Sequence, residues 1–321
     1  MDRKTKIHVP YLEFNLTEHC NLRCRYCGQF APFNRVYYAD FDTFCKDLTA
    51  LSRVYYTNRF RFTGGEPLLH KDIVKFARAV KECRIAGEIF VCTNGKLVDK
   101  MPDELFDLID VLDISWYPAS GDKSKIESAK EKCQRYDTKL HIMKVRKFQV
   151  NNVSKPITDE QLVREIYQSC RIAHAYHCHT FYNGRYYKCA KPLFMKSYFS
   201  KIDLAIPDLE IEDGIPIHKP NLRDRLVMYM HSEEPLKSCF YCLGTSGNYL
   251  DWRELTHDEK ESPPIISQDL RELINEKHMS RTLTKIRLLR SLLGPDWILY
   301  FRRLYHRILP RKDYRKHEID V

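Results

Sequence analysis

The sequence predicts an α/β fold built on a mostly parallel sheet, on three observations. Between residues 11 and 146, short stretches of strand character recur with amphipathic, helix-length stretches between them. Most of the strand-like stretches end in a glycine-rich or polar turn, the place where parallel βα units gather their functional groups. After a helix near 158–169 that rhythm stops and a cysteine-bearing hairpin follows. The 321 residues suffice for one large domain, or for one large and one small. The pattern divides them into 1–165 for the βα region, 166–255 for a cysteine-rich region and 256–321 for a helical basic tail.

Taken in order, Tyr11–Leu16 alternates as a strand and delivers the chain to a cysteine loop. Asp40 or Asp42 caps a helix over about 41–54, where Phe41, Phe44, Leu48 and Leu51 fall on one face. Residues 59–62 alternate as a second strand and run into Thr63-Gly64-Gly65-Glu66-Pro67. A helix over about 70–84 buries Ile73, Phe76, Ala77 and Val80, and a third strand, 88–93, ends in Thr93-Asn94-Gly95. A helix at 102–109, a strand at 111–116 ending near Ser115, a charged helix at 122–136 and a fifth strand at 139–146 ending at Arg146 complete the series. Asn183-Gly184, between T-F-Y and R-Y-Y-K, is a strong hairpin signal.

The chemistry concentrates in the cysteines. Cys20, Cys24 and Cys27 stand at C-x3-C-x2-C spacing, and three thiolates that close converge on one metal centre only if the loop wraps around it. A [4Fe–4S] cluster takes four ligands, so three cysteines leave one iron open to a small chelating cofactor. A zinc loop with His19 as fourth ligand stays open on this stretch. Twelve cysteines in a chain whose start, M-D-R-K-T-K, shows no secretory signal point to a reducing compartment, expected to be the cytoplasm, where clustered cysteines bind metal more often than they pair. Cys45, Cys83, Cys92, Cys133 and Cys178 read by default as small buried hydrophobes.

Cys20-x3-Cys24-x2-Cys27 after a strand, with Tyr26 just before the third cysteine and Gly64-Gly65-Glu66-Pro67 some 40 residues on, resembles the signature of the radical S-adenosylmethionine (SAM) superfamily. The resemblance implies a partial (β/α)6 TIM-like barrel, and a cluster whose open iron chelates SAM and splits it to a 5′-deoxyadenosyl radical. It also implies an external one-electron donor such as flavodoxin or ferredoxin. On the same resemblance Gly64, Gly65 and Glu66 seat the SAM amino group, and Asn94, Ser115 and Arg146 contact SAM at later strand ends. Backbone carbonyls freed by paired glycines, with Glu66 beside them, suit a cationic amino group.

Cys170-x13-Gly184-x4-Cys189 followed by Cys239-x2-Cys242 resembles the auxiliary-cluster region called twitch, the shorter relative of the SPASM domain. That resemblance implies a small auxiliary iron–sulfur subdomain with a second [4Fe–4S] cluster on Cys170, Cys189, Cys239 and Cys242. Cys178 rivals Cys170 as first ligand, and a four-cysteine zinc ribbon would use the same thiolates. His174, His177 and His179 read as surface or hairpin-packing residues.

The net charge of +10 sits largely in the tail, where residues 281–317 hold eleven Lys/Arg against two aspartates. An amphipathic helix there, with Trp297, Phe301, Leu304 and Ile308 beside Arg302, Arg303 and Arg307, suits packing on the body, a peripheral membrane surface or an acidic partner. Nucleic acid ranks below these, although an RNA-modifying enzyme remains a reading for the tail. The expected activity is oxidation or rearrangement of a sugar-like small molecule. That substrate is favoured over a ribosomal peptide because the resemblance allows one auxiliary cluster and the first strand begins by residue 11. A zinc-binding adaptor with a basic docking tail is the rival of another class.

Overall fold

The computed structural model describes residues 6–119, 121–265 and 269–293. Strand β1 (Ile7–Thr17) is followed by helix α1 (Phe41–Ser52), β2 (Tyr55–Gly64), α2 (Ile73–Cys83), β3 (Ala86–Thr93), α3 (Asp103–Phe106), β4 (Val111–Trp116), α4 (Lys123–Arg135), β5 (Lys139–Lys144) and β6 (Lys147–Gln149). Then come α5 (Glu160–Ser169), β7 (Cys178–Tyr182), β8 (Arg185–Tyr187), α6 (Lys191–Lys201), α7 (Leu209–Asp213), β9 (Ile215–Pro216) and α8 (Leu222–His231). Strand β10 (Tyr249–Asp251) and helices α9 (His257–Glu261), α10 (Leu270–Leu273) and α11 (Glu276–Leu293) close the described chain.

The main sheet has the order β5-β4-β3-β2-β1-β7-β8-β9. Its first six members run parallel, and β8 and β9 are antiparallel additions. Five parallel strands are readable in the sequence; the sixth is β7, the first arm of the Asn183-Gly184 hairpin, which pairs with β1 as Leu12↔His179. The cysteine-rich region therefore begins inside the same sheet rather than beside it. This is the parallel-dominated α/β sheet of a partial TIM-like barrel.

Caps and faces follow from the sequence. Asp40 caps α1, its carboxylate accepting from Thr43 N at 2.8 Å, and Asp122 and Asp159 cap α4 and α5 in the same way. Leu12, Phe14 and Leu16 of β1 join Phe60 and Phe62 of β2 in one core with Phe44 of α1 and Phe76 of α2. Phe14 lies 4.5 Å from Phe44 and 4.9 Å from Phe181 between ring centroids. Each such fully buried ring contributes about 1.5–3 kcal/mol. The alternate residues face the other way and are polar: Glu13 and Asn15 of β1, opposite Arg61 and Thr63 of β2, then Cys92, Asp113 and His141 across β3 to β5. The sheet thus has an apolar helix-covered face and a polar inner face, as strands of period two require.

Several expectations are corrected. His174, His177 and His179 are all buried, so the surface reading falls and the packing one stands; His174 lies against Tyr167 at 4.6 Å and His177 against His179 at 5.3 Å between ring centroids, and His179 is on β7, between β1 and β8. His179 Nδ1 sits 2.5 Å from the Tyr186 hydroxyl. Burial pulls the His177 pKa down to about 4. The helix expected over 102–109 closes one turn at Phe106. Cys133 is a buried apolar residue beside Ile126 and Ala129, whereas Cys92 accepts from Arg61 Nε at 3.2 Å on the polar face. Helix α11 fulfils the helical reading up to Leu293. The amphipathic segment around Trp297–Ile308 lies outside the described residues. Among those described, no helix is long and apolar enough to cross a membrane.

Candidate active site at the strand ends

Strand β1 ends at Thr17 and the chain enters the loop carrying Cys20, Cys24 and Cys27. The loop closes on itself through Cys27 N→Cys24 O (3.3 Å) and Phe30 N→Cys27 O (3.1 Å), and Tyr26 turns it with φ 61°. Two N–H groups point at the first thiol: Leu22 N at 3.4 Å and Asn94 Nδ2 at 3.5 Å from Cys20 Sγ.

The Gly-Gly-Glu-Pro turn at the end of β2 is locked against this loop. Gly65 N donates to Thr17 O at 2.9 Å, Glu66 N to His19 O at 3.1 Å, and Thr17 Oγ1 to Glu66 O at 3.0 Å. A Cβ on Gly65 would stand 1.9 Å from His19 O, so only glycine allows the two strand ends to meet here. Glu66 is fully buried. Its carboxylate accepts from Thr93 Oγ1 (2.6 Å), Asn94 N (2.8 Å) and Leu68 N (3.1 Å). Burial raises its pKa to about 7, against those hydrogen bonds. Glu66 is therefore a tie between the ends of β2 and β3.

The remaining expected contacts fare differently. Asn94 reaches the site, bonding Asn21 Oδ1 at 2.6 Å as well as facing Cys20. Ser115 is half-buried on β4, opposite Met143 on β5. Arg146 is exposed beyond the end of β5, and its carbonyl accepts from Trp252 N at 2.8 Å. His19, the alternative fourth ligand, has its Nδ1 engaged by Tyr37 N at 3.3 Å.

Two aromatic residues that carry no motif also line the cysteine loop. Tyr117, just past β4, lies in the field of Cys24, Cys27, Cys20 and Glu66, and its pKa is raised well above its ordinary value, chiefly by burial. Its position at a strand end was the one available signal. Trp252 stacks against it at 4.9 Å. It arrives on a strap formed by residues 249–255, which pairs β10 with β6 and then runs along the cysteine loop. The strap is fastened by a bridge between Cys24 and Glu254, by Arg25 N→Arg253 O (3.0 Å) and by Leu255 N→Arg23 O (2.7 Å). The buried Trp252 indole N–H faces Cys24 without a hydrogen-bond partner.

The second cysteine set assembles from distant segments. Cys170 ends α5, Cys189 lies between β8 and α6, and Cys239 and Cys242 bracket a 3-10 turn. Cys189 feels Cys170 and Cys242, and Cys239 feels Cys242, Cys189 and Cys170. Gly244 takes φ +54°, and a Cβ there would lie 3.2 Å from Cys170 Sγ; its N–H donates to Cys242 Sγ at 3.2 Å. Cys178 goes elsewhere, to the inner face beside Arg61. Of the two rivals, Cys170 is the one brought to the other three.

Both sets fit an iron–sulfur cluster. The thiols are buried or half-buried, with amide N–H groups and an orphaned indole N–H aimed at sulfur, a donor set that stabilises thiolate sulfur. Burial lifts Cys20 to about 12 and Cys170 to about 11, so metal must displace their protons. Among the described residues, no three such side chains converge closely enough for a single metal ion.

The Radical SAM superfamily profile matches residues 14–158. The chain is 34% identical over 122 residues to molybdenum cofactor biosynthesis protein 1 of Dictyostelium discoideum, covering 36% of this chain and 19% of that protein. It is 33% identical over 103 residues to a GTP 3',8-cyclase of Microcystis aeruginosa, covering 31% of each. The chain thus spans a third or less of the length of these relatives. Among solved structures it aligns with anSMEcpe with bound AdoMet, at 12% identity over 90% of this chain and 99% of that one (TM-score 0.48). It also aligns with BtrN in complex with AdoMet and 2-DOIA, at 16% identity over 73% and 92% (TM-score 0.41). Residues 14–158 form a radical SAM domain, whose cofactors are a [4Fe–4S] cluster and S-adenosylmethionine.

Proposed function

We propose that this chain oxidises a sugar-like small molecule, with Cys20, Cys24 and Cys27 holding the SAM-binding cluster and Cys170, Cys189, Cys239 and Cys242 an auxiliary [4Fe–4S] cluster. The observation that carries the reading is the gathering of four thiols, two buried and two half-buried, from three separate segments beside a complete strand-end cysteine loop. With its cofactors bound, the first site supplies a 5′-deoxyadenosyl radical, made with one electron from an external donor such as flavodoxin or ferredoxin. The cofactors held by Cys20, Cys24 and Cys27 would supply hydrogen-atom abstraction from a carbon bearing a hydroxyl, and a cluster held by Cys170, Cys189, Cys239 and Cys242 would supply the acceptor for the one remaining electron, the hydroxyl proton passing to solvent, so that the two together would oxidise the alcohol to a carbonyl by two electrons.

The chain's own residues orient and enclose. Thr17, Gly65 and Glu66 fix the loop, and the strap with Trp252 covers it. The polar inner face supports a polyol over a nucleotide. Arg61 there is spent on Glu13 (2.8 Å), Asp113 (3.5 Å) and Cys92 (3.2 Å), and Arg59 on Glu88 (3.4 Å). Asn15, Thr63 and Thr180, linked in a chain across three strands of that face, suit hydroxyl and amino groups rather than a triphosphate. The test is 5′-deoxyadenosine release from SAM by reduced, reconstituted protein with aminocyclitols and sugars, GTP, or peptides added. Stimulation by polyols with a ketone product is expected. Stimulation by GTP or by peptides alone refutes the substrate assignment.

A further inference from the structure

We propose that Lys191 is a fixed cation that sets the reduction potential of the auxiliary cluster. The inference rests on the reading of Cys170, Cys189, Cys239 and Cys242 as its ligands. Four thiolates around a [4Fe–4S] core leave a net negative charge that grows on reduction, and buried charge is costly without a counter-charge. Lys191 is itself buried, 7% exposed, at the start of α6 and two residues past Cys189. Burial lowers its pKa below the ordinary lysine value, and the neighbouring Cys242, Cys189 and Cys170 of the second set and Cys27 of the first act in the opposite direction, favouring the ammonium form.

The amino group is held in place from two sides. It donates to Asn151 Oδ1 at 2.5 Å and lies 4.6 Å from the centroid of the Phe30 ring. Asn151 belongs to both sites: its carbonyl accepts from Leu243 N at 3.1 Å, next to Cys242, and its Nδ2 lies 3.6 Å from where a Cβ on Gly28, next to Cys27, would stand. Asn152 continues the link as a bridge partner of Cys242. Lys191 therefore stands between the two cysteine sets. The other buried lysine nearby, Lys188, directs its amino group to the Tyr167 hydroxyl and the Ser232 carbonyl. A cation beside the cluster favours the reduced state, which is what an acceptor for a substrate electron requires.

The test uses the full chain with Cys20, Cys24 and Cys27 changed to alanine, so that only the auxiliary cluster assembles. Redox titration followed by electron paramagnetic resonance compares Lys191 with Lys191→Gln and Lys191→Arg. At the midpoint potential of the Lys191 protein, Lys191→Gln should lower the reduced-to-oxidised ratio at least about tenfold, about 59 mV for a one-electron couple. Lys191→Arg should hold it within about threefold. A Lys191→Gln protein with full iron and a ratio within about twofold overturns the assignment while leaving the ligand set intact. Absence of iron from the alanine-substituted parent overturns the ligand set and the assignment together. If Lys191→Gln and Lys191→Met lose iron while Lys191→Arg keeps it, the charge serves assembly rather than potential, and the assignment falls. Should the parent not fold, the same titration on the chain with all its cysteines, with SAM added to mark the first cluster's signal, decides.

Discussion

Glu66 makes stability pH-dependent in a direction opposite to that of an ordinary paired carboxylate. Its pKa in the fold is raised to about 7 from an ordinary 4.5, because burial outweighs three hydrogen bonds to the carboxylate. Below 4.5 the carboxyl is protonated in folded and unfolded chains alike. Between 4.5 and 7 the unfolded chain ionises first, so each rise in pH favours unfolding. Above 7 both are ionised and the penalty is constant. At 1.36 kcal/mol per pH unit the interval corresponds to roughly 3 kcal/mol. The assay is urea unfolding of metal-free protein at intervals from pH 4 to 8, comparing the parent with Glu66→Gln. Glutamine cannot ionise, but it presents an NH2 where Thr93 and Asn94 require an acceptor, so the variant is less stable by an offset common to all pH values. The stability of the parent minus that of the variant should fall by roughly 3 kcal/mol between pH 4.5 and 7 and then level off. A difference that is flat, or that rises with pH, refutes the reasoning and would mean that the hydrogen bonds balance the burial or outweigh it.

Gly65→Ala places a methyl 1.9 Å from His19 O. It should break the three hydrogen bonds that hold the turn to the cysteine loop, costing on the order of 3 kcal/mol, and reduce iron bound at Cys20, Cys24 and Cys27, read by thermal melting and iron analysis. Cys170→Ala should lower total iron by about four per chain, the content of one cluster, whereas Cys178→Ala should leave it unchanged; the reverse would make Cys178 the ligand. Trp252→Phe keeps the ring against Tyr117 but removes the N–H that faces Cys24. It should leave the melting temperature nearly unchanged and alter the paramagnetic resonance signal of the SAM-binding cluster, and an identical signal would show that the indole nitrogen plays no part there.

What the sequence determined by itself was everything that short-range pattern encodes. Period-two alternation set the polar and apolar faces of β1 and β2, aspartates marked the starts of α1, α4 and α5, and three cysteines within eight residues had to share one loop. The Gly-Gly-Glu-Pro turn was legible for the same reason, since a strand and its following turn are neighbours in the chain. Tertiary structure alone decided which distant groups meet. It paired β7 with β1, which buried His179 and carried Cys178 to the inner face while Cys170 stayed with Cys189, Cys239 and Cys242. It turned Glu66 toward Thr93 and Asn94, laid the strap with Trp252 over the cysteine loop, and put Lys191 between the two cysteine sets. Apart from the second cysteine set, whose spacing the sequence displays, none of these has a sequence signature, because each depends on segments tens to hundreds of residues apart that come together only when the sheet and its apolar core form, and the chain pattern records periodicity but not which faces will be opposed.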